Sequence, residues 1–143
     1  MRQLSLGLVT VLILTTFGCA SAPPQATLNH RLGGLPTIRK VVDDFVLRLR
    51  SDQRVSDFFA NSNVPLIREQ LTQLFCQVTG GPCTYLGADM KTAHVGMGLS
   101  NADFDAVAED LGASLDGAKV PEREKKELLA ILGKMRIDIV EKR

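Results

Sequence analysis

Tryptophan is absent from the 143-residue chain, tyrosine occurs once, and aromatic residues make up 5%. Stacking on nucleic-acid bases needs aromatic side chains interleaved with basic ones, and no segment has that composition. An excess of one charge is also missing: the formal net charge is +1, from 17 Lys+Arg and 16 Asp+Glu. Without a basic stripe the chain carries no footprint for nucleic acid and no polybasic patch for a membrane surface. Strand signals are lacking as well, since no β-branched runs alternate with polar residues and no Asn-Gly pair marks a hairpin. Histidine occurs only twice, so no group of imidazoles can hold a metal ion unaided.

What is present begins with a leader. "MRQ" carries one positive charge, and "LSLGLVTVLILTT" is an apolar run of signal-peptide length, too short for a comfortable membrane span. Two processing signals follow. "ASA" at Ala20 to Ala22 has the small-x-small pattern, but Pro23 stands directly behind it; "TFGC" at Thr16 to Cys19 is similar to a bacterial lipobox, with Thr16 and Phe17 departing from it. The expectation is a signal peptide over 1–18, a lipid on Cys19, and a tether over 19–27. The protein is then exported, periplasmic or membrane-anchored in a bacterium, with that lipid as its only membrane contact.

The remainder, 28–143, reads as one all-α domain. "LPTIRKVVDDFVLRLR" has Pro36 near its start and sets Ile38, Val41, Val42, Phe45 and Leu49 on one face. "VPLIREQLTQLFCQVTGG" carries Ile67, Leu71, Leu74, Phe75 and Val78, and Gly80-Gly81 stops it. "SNADFDAVAEDLGASLDG" opens on a Ser100 cap with Asp103 three residues on, and turns Phe104, Val107, Leu111 and Leu115 inward. "VPEREKKELLAILGKMRIDIV" predicts a fourth long helix with the stripe Leu128, Leu132, Met135 and Ile139. Between the second and third lies "GGPCTYLGADMKTAHVGMGL", a long irregular connection of the kind compact domains keep for a use. It contains His94.

Neutral imidazole is a natural metal ligand, but zinc or non-haem iron needs three or four protein ligands, and Asp89 is the only nearby carboxylate. Haem is different, because the porphyrin supplies four nitrogens and the protein need supply one. Local chemistry leaves two readings of His94 open, a hydrogen-bonded structural histidine and a single axial ligand.

The chain as a whole resembles the group I truncated haemoglobins, short globins with a two-over-two helical sandwich. The resemblance runs from Leu28 to Val140. It rests on "LNHRLGGLPTIRKVVDDFV" with its glycine pair Gly33-Gly34, the phenylalanine pair of "RVSDFFANSN", the second glycine pair in "LTQLFCQVTGGPCTYLG", and "DMKTAHVGMGLSNADFDAVAEDL". It implies a non-covalent haem b with His94 as its one axial protein ligand. Nδ1–H of His94 would then donate to the carbonyl of Met90, four residues back, leaving Nε2 for iron. It also implies that Phe59 and Met90 touch the haem, that Phe104 and Val107 close the His94 side, and that Phe75 packs deep in the pocket. Leu86 stands where the family usually has threonine.

On the opposite side, Val46 stands where many relatives have a tyrosine, and Ile67 and Leu71 occupy positions that are polar in the family. Dioxygen in such proteins is held by a hydrogen-bond donor. Three apolar residues imply reversible binding of oxygen, nitric oxide or carbon monoxide without one, and weaken the case for oxygen storage and nitric oxide dioxygenation, both associated with the family. Gln70 is the nearest polar side chain on that helix. A reductase partner and nitric oxide dioxygenase-like or peroxidase-like haem chemistry are compatible with such a site, although no enzyme activity is expected of it. A haemless helical lipoprotein that uses the same scaffold for protein contacts is the competing reading. Cys76 and Cys83 bracket the second glycine pair without a Cys-x-x-Cys-His motif. They are either two reduced small hydrophobes or a disulfide closing an eight-residue loop, which loop entropy values at roughly 2.5 kcal/mol.

Overall fold

The structure, a computed structural model, describes residues 26–142. The signal segment 1–18, Cys19 and all but the last two residues of the 19–27 tether lie outside the described residues. Every named element among the described residues is helical: α1 (Leu28–Arg31), α2 (Gly34–Ser51), a 3-10 turn (Ser56–Phe59), α3 (Val64–Val78), α4 (Met90–His94), α5 (Asn101–Gly117), α6 (Glu122–Gly133) and α7 (Arg136–Ile139). Helix α2 packs against both α3 and α5, and α6 lies on α5, so two helical pairs are stacked one over the other.

Local chemistry sets the helix ends. The Asn63 side chain caps α3 by accepting from Leu66 N–H at 3.1 Å. Ser100 and Asp103 form the reciprocal capping box expected for α5, each side chain taking the other's backbone N–H. At the end of α3 the buried Thr79 hydroxyl donates to the Phe75 carbonyl at 2.7 Å, and Gly80 follows at φ 79°. Gly81 is needed for a different reason. A Cβ there would fall 2.7 Å from the Cys76 carbonyl oxygen and 2.5 Å from Asn29 Nδ2, so no side chain fits.

One expected element is divided. The helix read over Pro121 to Val140 ends at Gly133, and α7 resumes at Arg136. The junction is tightened by three-residue bonds, Lys134 N–H to Ile131 O at 3.3 Å and Met135 N–H to Leu132 O at 2.9 Å. The tighter winding at this junction separates α6 from α7.

The inward stripe of α2 is buried as its spacing requires: Ile38, Val41, Val42, Phe45 and Leu49 are all closed off from solvent. Phe45 meets Phe75 of α3 with ring centroids 6.2 Å apart. The other stripes change character along their length. Leu74, Phe75, Leu111, Leu115 and Leu128 are buried, whereas Ile67, Leu71, Phe104, Val107, Leu132 and Met135 are only half-buried although they lie on the same inward faces. Inward residues that keep part of their surface open must border a space.

Candidate functional site

That space is a cavity of about 470 Å³ between the two helical pairs. Its volume is within the range of cofactor sites. α2 contributes Phe45 and Leu49, the 3-10 turn Phe58 and Phe59, and α3 Ile67, Gln70, Leu71, Leu74 and Phe75. Across from them stand Met90, Ala93 and His94 of α4, Met97 and Leu99 of the loop after it, and Phe104 and Val107 of α5. Residues of α6 and α7, among them Leu132 and Ile139, complete the wall.

His94 is brought to this wall by a helix of only five residues, too short to be stable alone. Its start is capped by Asp89, whose carboxylate accepts from Thr92 N–H at 2.9 Å and from the Thr92 hydroxyl at 2.7 Å. The connection leading to it is pinned to α3. A disulfide joins Cys76 to Cys83, Gly81 N–H donates to the Cys76 carbonyl at 2.8 Å, and Tyr85 N–H donates to Gln77 Oε1 at 2.7 Å. Of the two states left open for these cysteines, the bridged one is present. The Tyr85 hydroxyl donates to the Ala88 carbonyl at 2.7 Å, and burial, followed by the charge of Asp89, pushes its phenol pKa up.

The imidazole is oriented by one bond. Nδ1 of His94 lies 2.7 Å from the Met90 carbonyl oxygen. A carbonyl only accepts, so Nδ1 carries a proton, and in the neutral imidazole Nε2 is then the nitrogen with a free lone pair. This is the contact that the four-residue spacing implies. Among the described residues no group of three or more His, Cys, Asp or Glu is placed to hold a metal ion. The other histidine, His30, is exposed on α1 and takes no part in the wall.

Eight of the ten residues expected at the site line the cavity: His94, Phe59, Ile67, Leu71, Phe75, Met90, Phe104 and Val107. Val46 and Leu86 do not. Val46 is buried, but successive helical residues point about 100° apart, and it is Phe45 that faces the cavity while Val46 turns into the packing around α2. Leu86 lies in the irregular connection and is 81% exposed, so its side chain faces solvent. Gln70 does reach the wall and is the single polar side chain that α3 contributes to it. Asp103 also borders the cavity, but its carboxylate is engaged by the Ser100 hydroxyl and N–H, which hold it below the usual carboxylate range. Sequence reading missed the contribution of Phe45, Phe58, Met97 and Leu99. Phe45 had been signalled only as core, and the loop residues follow no period. Phe104 is fixed from outside by Arg136, whose guanidinium carbon lies 4.2 Å from the ring centroid and whose Nη1 donates to Asn101 Oδ1 at 3.0 Å.

A two-over-two helical fold around an apolar cavity, with one oriented imidazole in its wall, defines a globin of the short type. The bacterial-like globin family matches residues 27–141. The chain is 35% identical over 117 residues to the group 1 truncated haemoglobin of Tetrahymena pyriformis, covering 74% of this chain and 96% of that one. It is 32% identical over 114 residues to that of Mycolicibacterium paratuberculosis, covering 80% and 84%. Among solved structures, the Fe(III) form of the T. pyriformis protein superposes with a TM-score of 0.78 at 32% identity, covering 80% of this chain and 98% of that one. A Synechococcus 2/2 haemoglobin with covalently attached haem gives 0.76 at 28% identity, covering 82% and 100%. The chain belongs to the bacterial-like globins and, within them, to the group 1 truncated haemoglobins, which are haem-binding globins.

The cap on α4 has a pH signature. The Thr92 hydroxyl, then the Thr92 N–H, hold the Asp89 carboxyl below its ordinary range. A depressed folded pKa stabilises the native state above the unfolded value of about 3.9, and that contribution is lost as pH falls through the folded value. The Thr92 amide resonance should therefore titrate with a midpoint below about 3.9. A midpoint at or above it would contradict the cap.

Proposed function

We propose that the cavity holds a non-covalent haem b with Nε2 of His94 as its one protein ligand, and that the chain reversibly binds diatomic gases on the opposite face. The observation that carries this reading is the conjunction of a half-buried imidazole, fixed through Nδ1 by the Met90 carbonyl, with an apolar cavity of cofactor size. The donor set fits haem, which supplies an iron centre with four in-plane nitrogens and asks one ligand of the protein. Non-covalent attachment is supported by the side chains available. Both cysteines of the described residues are bonded to each other, and His30 is not part of the wall.

The chain's own residues would act as follows. The Met90 carbonyl holds the proton on Nδ1 and so strengthens Nε2 as a ligand. Met90, Phe104 and Val107 restrict the space beside the ring. Ile67 and Leu71 exclude water from the facing side and offer no proton. Gln70 is the polar group of α3 nearest to that side.

Export with a lipid on Cys19 belongs to the same proposal. The leader composition supports it, and the Cys76–Cys83 disulfide suits an oxidising compartment.

Three measurements test these points. Titrating haemin into the purified chain should give a Soret band saturating at one equivalent, shifted and weakened in His94→Ala; wild-type absorbance that survives unchanged in the variant would overturn the ligand assignment. Release of dioxygen should be fast, and Leu71→Gln, which adds a donor, should slow it about tenfold if one hydrogen bond of about 1.4 kcal/mol forms; slow release by the wild type would point to Gln70 as a working donor. Growth with a palmitate analogue should label a membrane-associated chain, and an unlabelled mature chain would exclude the lipid.

A further inference from the structure

The loop that follows His94 is held by a residue far along the chain. Glu141 accepts two backbone hydrogen bonds from it, Gly96 N–H to Oε1 at 2.7 Å and Gly98 N–H to Oε2 at 2.5 Å. Both glycines have positive φ, 81° and 64°, a backbone conformation that L side chains rarely adopt. The grip is reinforced by the backbone. Glu141 N–H and Lys142 N–H both donate to the Leu99 carbonyl, at 2.9 and 3.0 Å, and Ser100 pairs with Lys142 in an isolated parallel bridge.

The segment so held is part of the cavity wall. Met97 and Leu99 line it next to His94, and Met97 N–H donates back to the His94 carbonyl at 3.2 Å. Helix α4 is therefore tied at both ends, by Asp89 before it and by Glu141 after it. A five-residue helix is less than two turns long and has little of its own to resist rotation, so the direction of the His94 ring depends on these two ties. The Asp89 tie is local, three residues from its partner; the Glu141 tie spans 45 and 43 residues.

We infer that Glu141 is a positioning residue for His94: its carboxylate bridges the Gly96 and Gly98 amides and sets the orientation of the imidazole toward the cavity. The inference rests on the haem reading given above. Because carboxylates accept two bonds at once and carry full charge, the paired geometry is specific to Glu; Gln at the same position retains one oxygen acceptor and replaces the other with a donor.

The test compares wild type, Glu141→Gln and Glu141→Ala as full chains. Amide hydrogen exchange at Gly96 and Gly98 is measured without haem. Haem transfer to a scavenger globin and the iron–histidine stretching band are measured with it. The expected order is wild type slowest, Gln intermediate and Ala fastest, both in exchange of the two amides and in haem loss. In Glu141→Ala haem loss should rise about threefold or more, less than the roughly 10–100-fold change typical of removing a direct partner of a metal ligand. The stretching band should shift while the helical circular dichroism stays unchanged. Faster exchange with haem loss and stretching band as in the wild type would overturn the positioning role and leave Glu141 a plain structural clamp. Exchange unchanged in Glu141→Ala would overturn the clamp as well. Failure of the wild type to take up haem would overturn the underlying haem reading, and the positioning role with it, even where exchange at the two amides still responds to Glu141.

Discussion

The hydrogen bond between Nδ1 of His94 and the Met90 carbonyl is the contact on which the rest of the site depends. A lone imidazole has two nitrogens and free rotation about its side-chain bonds, and the hydrogen bond made by one nitrogen sets which of them is left to ligate and where it points. Here the commitment is made within a single helical turn. That turn cannot stand alone, so the surrounding structure supplies what helix length does not: the Asp89 cap, the Cys76–Cys83 bridge that fixes the approach from α3, and the Glu141 carboxylate that fixes the departure.

The cavity shows how a core becomes a binding site without changing its composition. Each long helix presents an apolar stripe, and along part of each stripe the residues close on one another as ordinary core. Elsewhere they stop short, and Ile67, Leu71, Phe104, Val107, Leu132 and Met135 remain half-buried around open space. A cofactor inserted there would join the hydrophobic core, which is why an apolar lining and one nitrogen suffice. Two of the polar groups at the margin are already engaged. Asp103 caps α5, and the Tyr85 hydroxyl holds the Ala88 carbonyl.

Much of this was legible in the sequence, and the limits of that legibility have physical causes. Four-residue spacing revealed the Met90–His94 contact, and the Ser-x-x-Asp pattern the cap of α5, because both are local and periodic. The glycine pair after α3 was readable as a stop, but that Gly81 must also clear the Cys76 carbonyl was not, since packing against a distant turn leaves no local mark. Periodicity placed Phe45 on the buried face of α2 and the family resemblance pointed to its neighbour Val46, and only packing decides that Phe45 meets the cavity. Leu86 was assigned through the family resemblance alone, and it lies in an irregular segment, where no period constrains side-chain direction. Glu141 was invisible for the same reason that it matters: its partners lie more than 40 residues away. A stripe that lines a cavity and a stripe that fills a core also have the same sequence pattern, so the cavity itself had to be seen.

The central claim is that one histidine, oriented by its own helix, holds the cofactor, and a crystal structure of the haem-loaded chain tests it most directly. The iron should lie at coordination distance from Nε2 of His94, with Nδ1 still bonded to the Met90 carbonyl and with Ile67 and Leu71 facing the other side of the ring. Haem seated outside this cavity, or iron held by any residue other than His94, would contradict it.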